Sequence, residues 1–145
     1  MSHRETIAGK FFTNLQTISQ PDIAFLTRQP FDIDELSEAQ FPAVVMQTGT
    51  ETRVDQELGP GSKRRICTLE FVILGFVKGA DDNIDTLRNA LIEKISNKVD
   101  SNITHDGNAL DSMVTSVETD EGQLFPRGGI RMVVEVTYDQ LSSSA

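Results

Sequence analysis

The sequence predicts one domain of the α/β (α+β) class, in which two main helices pack on a mixed or antiparallel β-sheet of about four strands. Two segments repeat apolar residues every three or four positions, as amphipathic helices do, and four segments show the alternation or density of apolar residues typical of strands. Their order along the chain is α-β-β-α-β-β. A length of 145 residues suits a single core, so we expect one domain over 1–145, with 1–5 and 140–145 as flexible termini.

Both helices are predicted from apolar stripes that would face the sheet. The first spans Thr6–Ile18, and its stripe comprises Ile7, Phe11, Leu15 and Ile18. The second begins at Asp81 or Asp82, which can cap it and favour its dipole, and it runs to about Val99. Its inner stripe comprises Ile84, Leu87, Leu91, Ile95 and Val99.

Four strands are predicted, at Phe41–Thr48, Arg65–Val77, Ser112–Thr119 and Ile130–Asp139. Pro42 fixes the start of the first strand and favours a position near an edge. This strand continues with less apolar content towards Val54. Before it, Pro21–Gln40 is predicted to be irregular and acidic, with a possible short helix at Asp34–Ala39.

A long polar hairpin arm is predicted between the first two strands. The segment Asp55–Lys63 is polar and rich in turn residues, and Gly59-Pro60-Gly61 lies at its tip. We therefore expect Asp55–Lys63 to be a loop, of a length that is often functional. A second loop is expected at Asp120–Gly129.

The strand Arg65–Val77 carries apolar residues on both of its faces, and both faces therefore need cover. One face comprises Cys67, Leu69, Phe71, Ile73 and Val77, which the second helix can cover. The other comprises Ile66, Val72, Leu74 and Phe76. That second face either packs on the first helix, which gives a three-layer monomer, or meets a neighbouring copy. Gly75, inside the strand, indicates a bulge or a close backbone approach.

The overall charge and the hydropathy pattern exclude several classes of protein. The formal net charge is −9 and the isoelectric point is about 4.6, which argues against a tight binder of the nucleic-acid phosphate backbone. No apolar run approaches the roughly 18 residues of a membrane span, and Met1–Glu5 lacks the apolar stretch of a signal peptide. We expect an intracellular protein, or one packaged there, that does not bind membranes.

No motif in the sequence indicates catalysis, a metal or a cofactor. Cys67 lies on an apolar strand face and is expected to pack in the core, while His3 and His105 are expected to be solvated. The calcium-loop opening at Asp81 fails at its sixth and twelfth positions, Thr86 and Ile92. Gly59-Pro60-Gly61-Ser62-Lys63 lacks the P-loop spacing and precedes a strand.

The order of the segments and the local sequence of several of them resemble those of the tail-terminator, or tail-completion, proteins of tailed bacteriophages. The resemblance covers most of the chain. It includes the N-terminal helix, the opening Phe41-Pro42-Ala43-Val44-Val45, the polar arm, the apolar strand Leu69–Phe76, the helix from Asp82 to Val99, and the ending Val133-Val134-Glu135-Val136-Thr137-Tyr138.

This resemblance implies a structural virion protein of the phage tail or neck, assembled in the host cytoplasm and without enzymatic activity or cofactor. It implies a ring, typically a hexamer, that caps the tail tube, stops its polymerisation and joins it to the head connector. The implied partners are other copies of the chain, the tail tube protein and the connector, with DNA passing through the lumen. Six times the formal charge of −9 is −54, and a strongly negative lumen would repel passing DNA.

The candidate site residues are therefore interface residues on the two loops. The first group comprises Arg53, Gly59, Pro60, Lys63, Arg64 and Arg65, and the second comprises Phe125 and Arg127. The four basic residues of the first group are either solvated strand ends or contacts to an acidic neighbouring subunit. We expect charge reversal at Arg64 and Arg65 to weaken assembly while the monomer stays folded.

Two alternative functions remain open. One is another ring protein of the phage neck, such as a head-tail connector stopper, which would have a similar composition. The other is a small intracellular α/β ligand-binding or enzymatic domain, with a pocket between helix and sheet and Asp or Glu residues as acid/base groups.

Overall fold

The structure, a computed structural model, describes residues 3–18, 23–29, 31–32, 35–59, 62–78, 83–105, 107–121 and 127–141. Its helices are α1 (His3–Leu15) and α2 (Ile84–Ser101), and a 3-10 turn spans Glu38–Gln40. Its strands are β1 (Phe25–Thr27), β2 (Ala43–Gly59), β3 (Ser62–Lys78), β4 (Asp111–Thr119) and β5 (Arg127–Leu141). The predicted α+β class is confirmed, with β1 as an additional short strand.

The five strands form one mixed sheet in the order β1-β2-β3-β5-β4. β1 pairs in parallel with β2 over Ala43–Val45, and every other neighbouring pair is antiparallel. β3 and β5 are therefore the central strands. β4 forms one edge, and the outer side of β2 beyond Val45 has no strand partner among the described residues.

Both helices pack on the same face of the sheet, so the molecule has two layers. Phe11 of α1 contacts Phe71 of β3 edge to face, with ring centroids 5.4 Å apart. Leu91 and Ile95 of α2 are buried in the same core as the β3 face that begins at Cys67. Of the two alternatives for the second face of β3, the three-layer monomer is wrong, because α1 shares the Phe71 face with α2 instead of covering the opposite one.

Gly75 allows α2 to approach the sheet closely. A Cβ atom at this position would lie 2.8 Å from Leu91 Cδ2 and 2.9 Å from Ile130 Cγ1, which is closer than van der Waals contact permits. Of the two interpretations of this glycine, the structure supports the close approach. Gly128 on β5 has the same role, since a Cβ there would lie 2.9 Å from Ile84 Cγ2.

The segment expected to be a loop at Asp55–Lys63 is mostly strand. Asp55 pairs with Arg65, Glu57 with Lys63 and Gly59 with Ser62. The hairpin connection is thereby reduced to residues 60–61, which lie outside the described residues. Leu58 is the one large aliphatic residue of this segment, so its sequence did not indicate a strand, but the strands pair through their backbones regardless of polarity.

His105 is completely buried, which overturns the expectation of a solvated side chain. Its Nε2 lies 2.7 Å from the hydroxyl of Ser112, which itself donates to the Ile103 carbonyl at 2.7 Å. The imidazole packs on Phe11 with ring centroids 5.0 Å apart. The turn after α2 folds His105 under the sheet, a tertiary effect that the neighbouring Asp-Gly pair did not reveal. Cys67 is fully buried, as expected.

The remaining boundaries differ from the prediction by a few residues. α1 starts at His3 and ends at Leu15, after which a turn carries the chain to Ile18. α2 follows Asn83, and the aspartates expected to cap it lie outside the described residues. The possible helix at Asp34–Ala39 corresponds in part to the 3-10 turn, with Asp34 also outside them.

Candidate interface surfaces

The described residues contain no group of three or more His, Cys, Asp or Glu placed to hold a metal ion. None of the helices in the described part is long and apolar enough to cross a membrane.

A shallow apolar groove of about 300 Å³ lies between α2 and the start of β2. It is lined by Phe41, Pro42, Val77, Leu87, Ala90 and Leu91, with Lys78 and Lys94 at its side.

A buried ion pair fixes the N-terminal half of α2 to the β4–β5 connection. The Arg88 guanidinium is hydrogen-bonded to Asp120 and lies 3.1 Å from Asp85 Oδ1. Asp120 also accepts a hydrogen bond from the Gly129 amide at 3.0 Å. The hydrogen bond to Asp120 raises the pKa of Arg88, so this group stays charged although it is buried. Its role is structural, and the sequence pattern of α2 did not indicate it.

The hairpin arm, defined here as residues 53–65, carries an ion-pair ladder. Arg65 Nε lies 2.9 Å from Asp55 Oδ1 on the opposing strand. Arg64 Nε lies 3.0 Å from Asp139 Oδ2 on β5. These are two of the predicted interface residues, and each is neutralised by a carboxylate of its own subunit. They are exposed pairs, so each contributes little to stability.

The arm is nevertheless the cationic part of an acidic chain. Residues 53–65 contain four basic residues, Arg53, Lys63, Arg64 and Arg65, against two acidic ones, Asp55 and Glu57. Their formal charge is thus +2, which leaves −11 for the rest of the −9 chain. Of the other predicted arm residues, Gly59 ends β2 opposite Ser62, and Pro60 lies outside the described residues.

A polar cluster anchors the root of the arm to the rest of the fold. Glu51 accepts hydrogen bonds from the Tyr138 hydroxyl and the Arg53 guanidinium, and lies 4.0 Å from Arg4 of α1. Burial alone would raise the pKa of Glu51, but these hydrogen bonds outweigh it and lower the pKa overall. Burial and the hydrogen bond to Glu51 raise the pKa of Tyr138. The carboxylate therefore remains ionised where β2, β5 and α1 meet.

The two predicted interface loops lie at opposite ends of the sheet. Arg127 opens β5 opposite Lys78, whereas Arg64 pairs with Leu141 at the other end of the same ladder. Fourteen residues of β3 separate the two positions, or roughly 48 Å at about 3.4 Å per residue. The two groups therefore cannot form one site within a subunit. Phe125 lies outside the described residues, and whether any of these residues contacts a partner stays a prediction.

The sheet face opposite the helices, called the open face from here on, combines apolar and charged residues. Strand alternation and register place the following apolar residues on it: Val45, Val54, Ile66, Val72, Leu74, Phe76, Met113 and Val133. Phe31 covers Phe76, with ring centroids 5.8 Å apart. Val72 and Leu74 remain half-buried, while Met113 and Val54 are 53% and 58% exposed.

Two carboxylates face each other in the middle of the open face. Glu70 of β3 is the direct cross-strand partner of Glu135 of β5. Neither carboxylate forms an ion pair or a side-chain hydrogen bond with the described residues, and both are half-buried. Like charges directly opposite each other destabilise a sheet. We therefore expect this cross-strand pair to be unfavourable in the isolated subunit.

Sequence reasoning found the apolar residues of this face but missed its carboxylates. Glu135 fits the alternation of charged and apolar residues in β5, and Glu70 lies in a strand that is apolar on both faces, so neither residue suggested a cross-strand pair. The pairing of Glu70 with Glu135 depends on the register of β3 against β5, which no local pattern fixes. Val133 was the signal available: it breaks the alternation of β5, and it lies buried on the open face opposite Val72.

A family model and a curated relative agree on one family, and a solved structure shares the fold. A family model described as Bacteriophage Tail Tube Terminator Protein matches residues 1–144. The tail tube terminator protein p142 of Escherichia phage T5 is 31% identical over 159 aligned positions, which cover 95% of this chain and 94% of that protein. A chain from the virion of a native gene transfer agent particle has the same fold, with a TM-score of 0.57 at 12% identity over 92% of this chain and 98% of that one.

Proposed function

Since this chain belongs to the bacteriophage tail tube terminator family, a family of structural virion proteins, we propose that it forms a closed ring on the completed tail tube. The ring stops further polymerisation of the tube and provides the joint to the head connector. Its partners are then other copies of itself, the tail tube protein and the connector protein, and its role is structural rather than enzymatic.

The observation that supports assembly is the sheet face that neither helix covers. The helices and the sheet face towards them bury a continuous core, whereas the opposite face keeps Val72 and Leu74 only half-buried and Met113 53% exposed. Apolar residues gathered on one surface indicate an interaction site. Identical subunits that meet through two different surfaces close into a ring when the rotation permits it.

We propose six copies for this ring, as the resemblance to tail terminators implies. Such a ring carries a formal charge of six times −9, which is −54. A predominantly anionic lumen would repel the phosphate backbone, so that DNA passes through without binding to the ring. A structure of the assembled ring tests the lumen proposal, and a lumen lined mainly by Lys and Arg would refute it.

Two measurements test this proposal: the native mass of the purified protein, and its binding to tail tubes or to portal complexes. Native mass spectrometry or sedimentation over a range of concentrations should give a discrete ring, with six copies as the expected order. The purified ring should bind tail tube ends in preference to portal complexes. Preference for portal complexes would instead assign it to the connector-stopper class, and a monomer at all concentrations would contradict the ring.

A further inference from the structure

We propose that the arm of one subunit packs across the open face of the next, so that each subunit donates an arm and receives one. This inference rests on the proposed ring and specifies its subunit contact. The occupant of the open face is a second copy of this chain, in particular the side of the arm that carries Val54, Arg64 and Ile66.

Chemical complementarity is the first support. Val54 and Ile66 are cross-strand partners, and Arg64 shares their side of β3. This side of the arm thus presents an apolar pair next to a guanidinium. The open face presents the matching pattern, namely the apolar residues Val72, Leu74 and Val133 next to the carboxylates Glu70 and Glu135.

Charge provides a second support. Register places Glu70 directly opposite Glu135, like charges in such positions destabilise a sheet, and a guanidinium placed between the two carboxylates would relieve that effect. The arm is the cationic part of the chain, with a formal charge of +2 against −11 for the remainder. Arg64 keeps Asp139 as a partner within its own subunit, and its guanidinium has further donors for a second carboxylate.

The positions of the residues fit this contact. The ladder between β3 and β5 ends at Arg64 and Leu141, so Val54, Arg64 and Ile66 lie at one end of the sheet, where a neighbouring subunit can approach them. The five-stranded sheet is about 19 Å wide, from four spacings of about 4.8 Å. The Glu70–Glu135 pair lies on β3 and β5, so it is within about 10 Å, or two strand spacings, of the β4 edge of the sheet.

Disulfide trapping tests the contact directly. We expect the double variant Val54→Cys/Val72→Cys to give, on oxidation of the assembled protein, a ladder of covalent oligomers up to the ring order on a non-reducing gel. Each single variant should give no ladder, because one new cysteine cannot link the two proposed surfaces. Cys67 is fully buried and is not expected to compete. Val54→Cys/Asn89→Cys is the matched control, since Asn89 is exposed on α2, away from the open face.

A charge variant provides the second readout. Glu70→Gln/Glu135→Gln should raise the subunit dissociation constant by about tenfold or more, because the arm guanidinium loses its anionic partners. The same variant should leave the isolated subunit as stable as the unmodified chain, or more stable.

The possible results separate the arm contact from the ring itself. A ring of normal mass with no ladder from Val54→Cys/Val72→Cys overturns the arm contact and leaves the ring intact. Covalent dimers without higher species indicate a two-fold contact and also overturn it. A monomeric native mass of the unmodified chain at every concentration overturns the ring and the arm contact together.

Discussion

The packing of α2 on the sheet depends on Gly75, and Gly75→Ala tests that dependence. The added Cβ would lie 2.8 Å from Leu91 Cδ2 and 2.9 Å from Ile130 Cγ1. Leu91 and Ile130 are each 3% exposed, so both side chains are packed in the core and must shift to admit the added methyl group. Overpacking of this kind costs roughly 1–3 kcal/mol.

A compensating effect reduces this cost. Replacing glycine by alanine lowers the entropy of the unfolded chain and favours the folded state by about 0.5–1 kcal/mol where the residue fits. The net loss for Gly75→Ala is therefore about 0–2.5 kcal/mol. For a domain of this size each kcal/mol corresponds to roughly 2–4 °C in Tm, which predicts a fall of up to about 10 °C.

Gly9→Ala on α1 is the matched control. A Cβ at Gly9 meets no atom within 4 Å, and alanine in a helix interior is favoured by about 0.5–1 kcal/mol over glycine. The unfolded-state term is shared by both variants, so the difference between them isolates the steric contact. Thermal and urea unfolding should be compared at one protein concentration, since assembly raises Tm. Equal stabilisation by both substitutions would refute the close approach of α2.

Three further predictions concern charged groups. Arg88→Met should lower the free energy of unfolding by about 3–5 kcal/mol in urea titrations, because it leaves the buried Asp120 carboxylate without its cation; a loss below about 1 kcal/mol would show that this pair is not needed. Tyr138→Phe should lower the free energy of unfolding by about 1.5–3 kcal/mol at neutral pH, because it removes the hydrogen bond to the Glu51 carboxylate. Hydrogen bonding lowers the pKa of Glu51 below its ordinary 4.5, so the stability that this group contributes is present above pH 4.5 and is lost as the pH falls through its folded-state pKa. The difference between Tyr138→Phe and the unmodified chain should shrink in that acid range, and a difference independent of pH would contradict the assignment. Glu70→Gln should stabilise the isolated subunit by about 0.2–1 kcal/mol, and destabilisation of the isolated subunit would show that the opposed carboxylates do not repel.

Periodicity was sufficient to predict the layer that faces the helices. The alternation of apolar residues that begins at Cys67 predicted the buried residues of β3, and the apolar stripe that begins at Ile84 predicted those of α2. Both patterns arise because each element buries one apolar face against the other. Gly75 also signalled a close approach, since a glycine inside a strand requires a reason. These features follow from local sequence and one dominant force.

The features that were missed depend on tertiary geometry. β1 has three residues and is held by pairing with β2 and by the Ala24 amide bound to the Pro42 carbonyl at 2.8 Å, so it has no pattern of its own. The paired part of the arm contains charged residues, and its strands are joined by backbone pairing and by the Arg65–Asp55 ion pair. His105 and Arg88 are buried because distant elements fold over them.

The candidate site could be predicted only in part, for the same reason. The sequence located the basic residues of the arm but did not reveal that Arg64 and Arg65 have carboxylate partners within the subunit. Simple charge reversal at these positions would therefore break pairs that hold the arm, and a loss of assembly would have two explanations. Exchanging Arg64 and Asp139 keeps the internal pair while altering the side of the arm that the proposed contact uses, and so separates the two effects.

The same reasoning explains why the open face is the most informative surface of the molecule. Local preference, packing and charge agree across most of this fold, as they do in sequences that specify one structure. They conflict where Glu70 opposes Glu135 among half-covered apolar residues. We expect two like charges opposite each other at the centre of this surface to lower the stability of the isolated subunit. This effect is relieved if that surface is covered by a cationic partner, and the arm is the part of this chain with that charge.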